Sequence, residues 1–212
     1  MVTRRKLDRN SVFLNVPFDL RYRPLLHALI CSLACMGRKA RSAMELTETG
    51  KLRLERIVAL IGECAYSIHD LSRNSGSNRQ PRHNMPFEAG IAYAFKTMSK
   101  GKHGYEFYVL EGKKHSLKTS FSDLSGMDPK AHGNDPKEVV NIVVSWFHAI
   151  PSEFSRPEPV DVIQVYSQFR KIAIPGLNKR WNGMPPFNYL VAGSLELAQS
   201  MGFYPAKKSR SH

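Results

Sequence analysis

The chain has 212 residues, 42% hydrophobic and 23% charged, which is the composition of an ordinary folded protein and leaves room for disorder only at the ends. Its 31 Lys and Arg against 18 Asp and Glu give a formal net charge of +13, which calls for either an anionic partner or a solvated basic surface. A membrane span and a secretory leader are both excluded by expectation, because the apolar run 25–35 is broken by His27 and Ser32, falls short of the ~20 residues a span needs, and the basic segment 1–10 precedes a strand pattern.

That strand pattern is residues 11–16, SVFLNV, a β-rich apolar run stopped by Pro17. Residues 23–36 follow as a helix with Pro24 in its first turn, Leu25, Leu26, Leu29, Ile30 and Leu33 on one face, and Gly37 closing it. Residues 39–44 are a candidate strand, and 51–64 a helix carrying Leu54, Ile57, Val58 and Ile61. Residues 65–71 form a strand that ends on His69, Asp70 and Leu71, and the Ser-, Asn-, Gly- and Arg-rich stretch 72–82 reads as a loop.

The next helix places Pro86 and Glu88 in its first turn and aligns Phe87, Ile91, Ala94, Phe95 and Met98. Residues 105–110 are another strand, the loop SDLSGMDPKAH holds Asp123, Asp128 and His132 without readable metal geometry, and Asp135, Pro136 and Glu138 cap a helix bearing Val139, Val140, Val143, Val144 and Phe147. Beyond residue 150, Pro151, Pro157 and Pro159 mark a connector to helices at 160–172 and 188–201, joined by a Pro- and Gly-rich turn over 175–186.

Alternating strands and helices imply an α/β fold: a flavodoxin- or Rossmann-like parallel sheet of four to five strands, flanked by helices, with a small helical C-terminal appendage. The expected organisation is a basic segment (1–10), the α/β domain (11–150), the appendage (151–206) and a basic tail (207–212) of a cytoplasmic protein. Cys31, Cys35 and Cys64 lie in apolar patterns without metal-ligand spacing and read as buried free thiols, so no zinc or disulfide is expected.

Ligands of such sheets bind beyond the carboxyl ends of the strands, where residues 15–19, residues 70–73 and the loop before Glu88 should converge. Asp70 and Glu88 at one mouth would suit chemistry in which positive charge develops on a sugar, one carboxylate stabilising the anomeric carbon and the other handling a proton or the ribose hydroxyls. Each is also explained as a cap or first-turn acid. Phe18 and Tyr22 are candidates for stacking on a base, and His69 for a buried, hydrogen-bonded strand histidine.

The segments VFLNVPFD (12–19), CAYSIHDLSR (64–73) and NMPFEAGIAYA (84–94) together resemble the nucleoside 2-deoxyribosyltransferase-like family, related to Toll/interleukin-1 receptor (TIR) domains, over roughly residues 11–150. The resemblance implies that Glu88, in the E-x-G-x-A start Glu88-Ala89-Gly90-Ile91-Ala92, acts at the anomeric carbon as nucleophile or stabiliser, and that Asp70 contacts sugar or base. The candidate substrate-binding set, read from the rim itself, is Asn15, Phe18, Asp19, Tyr22, His69, Ser72, Arg82 and Asn84. Where the family carries an Asp-x-Gly stretch, this chain has Arg82-His83-Asn84-Met85-Pro86-Phe87, and the cations suggest a phosphorylated or polynucleotide ligand.

The expected function is therefore an N-glycosidase or N-glycosyl transferase acting on a nucleotide, NAD or nucleic acid, resembling toxic effectors of bacterial antiphage defence. It needs no cofactor, NAD or a nucleotide entering only as substrate. Two alternatives stand beside it: a nucleotide-sensing module without turnover, and a nucleic-acid-binding protein working through its basic surface. A homo-oligomer or a regulatory partner is left open, and no membrane association is expected.

Overall fold

The computed structural model describes residues 7–46, 52–73, 84–99, 104–117, 128–151 and 156–203. Five parallel strands, β1 (Asp8–Asn15), β2 (Lys39–Arg41), β3 (Cys64–Asp70), β4 (Glu106–Glu111) and β5 (Lys130–Ala131), form one sheet in the order β2-β1-β3-β4-β5. This is the flavodoxin-like order of an α/β fold, and the order in which strands are added reverses between β1 and β3, the place where such folds open a crevice. No helix among the described residues is long and apolar enough to cross a membrane.

Strand alternation sorts the core into two layers. Val12, Leu14 and Val16 of the β1 segment and Tyr66 and Ile68 of β3 pack with α1 (Arg23–Cys35) and α4 (Pro136–His148). Phe13 faces the opposite side, against Ile57, Leu60 and Ile61 of α2 (Arg53–Glu63) and Ala92 of α3 (Asn84–Met98). Gly62 lets these last two helices meet, since a Cβ there would lie 2.9 Å from the Phe95 ring.

Several element boundaries differ from expectation. β1 begins at Asp8, inside the basic segment, and β2 stops at Arg41 because Ser42 and Glu45 form a reciprocal capping box that starts the 3₁₀ turn Ala43–Glu45. β5, a two-residue edge strand, arises in a stretch that reads as loop, too short to show a period. α3 runs from Asn84, which puts Glu88 in its second turn rather than its first.

The C-terminal turn is also revised. α5 (Pro159–Gln168) continues through a π turn (Phe169–Ala173) into α6 (Ile174–Arg180), so helix passes directly across Pro175 and Gly176. The wider π turn precedes Pro175, whose ring would otherwise strike a carbonyl one turn earlier, and the break falls at 181–186, before α7 (Phe187–Ser200).

Those helices close over α1. Val162, Val165 and Phe169, then Phe187, Leu190, Val191 and Ala198, belong to the same apolar cluster as Leu25, Leu29 and Leu33. α1 is consequently buried from Leu25 to Cys35 on every side, and not only along the one face that its leucine spacing marks. Cys31, Cys35 and Cys64 are free and buried, and burial pushes the Cys35 and Cys64 thiols up to about 12.

Candidate functional site

At the carboxyl end of β1 the structure opens a cavity of about 700 Å³ between the sheet and the layer of α2 and α3. Asn15 and Val16 form its floor, Phe18 one wall, Arg53 and Ile57 of α2 another, and Asn84 and Glu88 of α3 the far side. Glu88 is the one acid among these lining residues, and among the described residues no hydrogen bond or ion pair engages its carboxyl. Burial raises its pKa to about 7, with the Arg53 cation pulling the other way.

Asn15 builds the floor by two contacts. Its Nδ2 donates to the Met85 carbonyl at 2.8 Å, tying the start of α3 to the end of β1, and lies 3.0 Å from Nδ1 of His69, its register partner on β3. Because the amide nitrogen is a donor, His69 Nδ1 accepts, and Nε2–H donates to Ser67 Oγ at 2.8 Å. Burial lowers the His69 pKa to about 3, so the ring is a neutral strut between Phe13 and Phe107, with no surface for a ligand.

The expected pairing of Asp70 with Glu88 is not formed. From Tyr66 onward β3 alternates regularly, so Asp70 shares a face with Tyr66 and Ile68 and turns toward α1 and α4, while Glu88 stands on α3 in the other layer. Asp70 is fully buried, accepting from the Tyr22 hydroxyl, from His132 Nε2 at 2.9 Å and from the Ser72 amide at 2.8 Å. The Asn134 amide donates to His132 Nδ1, which leaves the ring proton on Nε2, aimed at Asp70. Burial alone would raise the Asp70 pKa, but the His132, Tyr22 and Ser72 hydrogen bonds outweigh it and hold it below the usual carboxylate value.

The remaining candidates divide between cavity and frame. Phe18 and Asn84 reach the cavity, with Phe18 40% exposed and free to stack. Tyr22 and Ser72 belong to the Asp70 network, and Asp19 caps the turn into α1 through the Arg21 and Tyr22 amides and pairs with Arg73 at 3.2 Å. Arg82, His83 and Asp123 lie outside the described residues. Asp128 pairs with Lys130, and no group of three or more metal-ligating side chains occurs among the described residues.

Arg53 is the site residue that sequence reading did not single out. It stands one position before the apolar stripe of α2, where a cation facing a cavity and a solvated one leave the same pattern. Comparison of the chain with protein-family models, with curated proteins and with solved structures finds no match.

Proposed function

We propose that the cavity binds a nucleotide and that Glu88 promotes cleavage of its N-glycosidic bond. One observation carries the reading: a carboxylate without a protein partner among the described residues lines a nucleotide-sized cavity at the sheet's switch point. The resemblance of the E-x-G-x-A segment to the deoxyribosyltransferase-like family points the same way.

In this mechanism the base departs with the electron pair of the C1′–N bond, and the ionised Glu88 carboxylate stabilises the cationic sugar or bonds to C1′. Water or an acceptor then bonds to C1′, releasing the Glu88 carboxylate where it is bonded, and gives up its proton to the departed base. Phe18 would stack on the base, Asn84 would meet a sugar hydroxyl, and Arg53 would meet a phosphate. Asp70 has no part in these steps, because its lone pairs are committed in the opposite layer.

The test is incubation with NAD, nucleotides and single-stranded nucleic acid, with mass detection of released base. Glu88→Gln should lower the rate ~10²–10³-fold while leaving affinity for intact ligand nearly unchanged. Full base release by Glu88→Gln would discard the mechanism. A sensing module without turnover is favoured by one feature, the lack of a second acid among the described lining residues to activate water. Tight nucleotide binding by the wild type with no base released would establish that reading instead.

A further inference from the structure

A larger cavity, of about 940 Å³, adjoins the Glu88 cavity across Phe18, which lines both. It opens between the start of α1, the 3₁₀ turn and the C-terminal helices, and among the described residues its charged lining is Asp19, Arg23, Glu45 and Arg170. We propose that this cavity is a second binding site, for the phosphate groups of a small ligand clamped between Arg23 and Arg170.

The acids there are already engaged. Asp19 uses Oδ1 to hold the turn into α1 and to pair with Arg73, its Oδ2 being buried without a hydrogen bond among the described residues, and Glu45 pairs with Arg41 at 2.8 Å while closing the Ser42 capping box. The guanidiniums are not engaged by any anion: among the described residues neither Arg23 nor Arg170 has a carboxylate within ion-pair distance. Arg23 Nη1 donates to the Gly183 carbonyl at 2.8 Å, and Arg170 Nη1 lies 3.4 Å from His27 Nδ1, so most of the five N–H donors on each remain available.

His27 stands near both cations. It is 4% exposed yet lines the cavity, and burial, then Arg170 and Arg23, lower its pKa to about 3. Two guanidiniums without a carboxylate partner among the described residues, beside a neutral imidazole, are a local excess of positive charge that an anion would relieve. Forked guanidiniums from two separate elements match the oxygens of a phosphate better than a single carboxylate.

The phosphates can come from free diphosphate or from a nucleotide whose base end passes Phe18 toward Glu88. Calorimetric titration of the full chain with inorganic pyrophosphate, ADP and NAD, at low and high ionic strength, separates the two. Pyrophosphate should bind, more weakly at high salt, and at least tenfold more weakly to Arg170→Ala and to Arg23→Ala. ADP or NAD binding more tightly than pyrophosphate identifies a nucleotide, and equal affinities identify the phosphate groups alone; either keeps the site. Arg170 is exposed in the π turn, so its alanine variant should retain the fold and decides the matter even if Arg23→Ala, which also loses the Gly183 contact, does not. Unchanged affinity in Arg170→Ala, or no binding of any of the three probes to the wild type, overturns the proposal. The readout needs no turnover, so a silent Glu88 and an empty phosphate cavity are separate results.

Discussion

A half-buried carboxyl facing a cavity is a linked problem of stability and chemistry, and Glu88 shows both sides of it. With its pKa raised by burial to about 7, the folded protein holds a proton that the unfolded chain has released, so the stability Glu88 contributes is present at acid pH and is lost as pH rises through that value. Glu88→Gln should therefore be more stable than the wild type above pH 7, with the advantage fading toward about pH 4.5. Solvent screening at a half-buried position keeps the difference on the order of 1 kcal/mol. Urea unfolding across that range measures it, and parallel curves for the two proteins would mean that Glu88 ionises as in solvent. That Glu88, Asn15, Phe18 and Asn84 line one cavity was legible because strand ends and helix starts of an α/β sheet meet at one rim. Asp70 was legible in position but not in direction. One residue of strand phase decides which layer it enters, and the irregular register of β1 against β3 between Asp8 and Val12 obscures that phase until Tyr66.

Asp70 instead joins elements. The Tyr22 hydroxyl comes from the residue before α1, the Ser72 amide follows β3, and His132 follows β5 and precedes α4, so one carboxylate gathers three connections at a single buried point. Each contact presents a donor, which a side-chain amide cannot satisfy throughout: in Asp70→Asn the new NH₂ group would face either the Tyr22 and His132 donors or the Ser72 amide. This substitution should cost about 2–4 kcal/mol in chemical denaturation. Because the folded-state pKa of Asp70 is depressed, its contribution is present above the ordinary carboxyl value and is lost as pH falls through the lower, folded one. The variant should accordingly lose part of the wild type's acid sensitivity below about pH 4. A variant as stable as wild type at pH 7 would show that water or rearranged donors replace the carboxylate. This junction leaves no mark in the residue pattern, since His132 lies 62 residues from Asp70 and long-range polar pairing has no periodicity to read.

At the scale of the whole molecule, the C-terminal helices complete the core rather than decorate it. The apolar run 25–35 carried the signal: Leu, Ala, Ile and Cys occur all round the helix, interrupted only by His27 and by Ser32, whose hydroxyl bonds back to the Ala28 carbonyl. Such a helix needs cover on its outer side, and Val162, Val165, Phe169, Phe187 and Leu190 supply it. Without them α1 would turn an apolar face to water, too large a patch for a folded monomer to tolerate. Removing everything beyond residue 151 should leave a chain without a cooperative unfolding transition, keeping far-UV helix signal, binding a hydrophobic dye and tending to aggregate. A point change tests the same dependence more gently. Phe169 is fully buried, packs edge-on against His27 at 5.6 Å between centroids and stands at the π turn, so Phe169→Ala should cost about 3–5 kcal/mol. That loss should appear in a single transition shared by near-UV signals from the sheet layer and from the C-terminal helices, because one apolar cluster spans both. Two resolved transitions, or a truncated chain that unfolds cooperatively with undiminished stability, would instead show that the sheet and its four described helices stand alone and that residues 156–203 are a separable attachment.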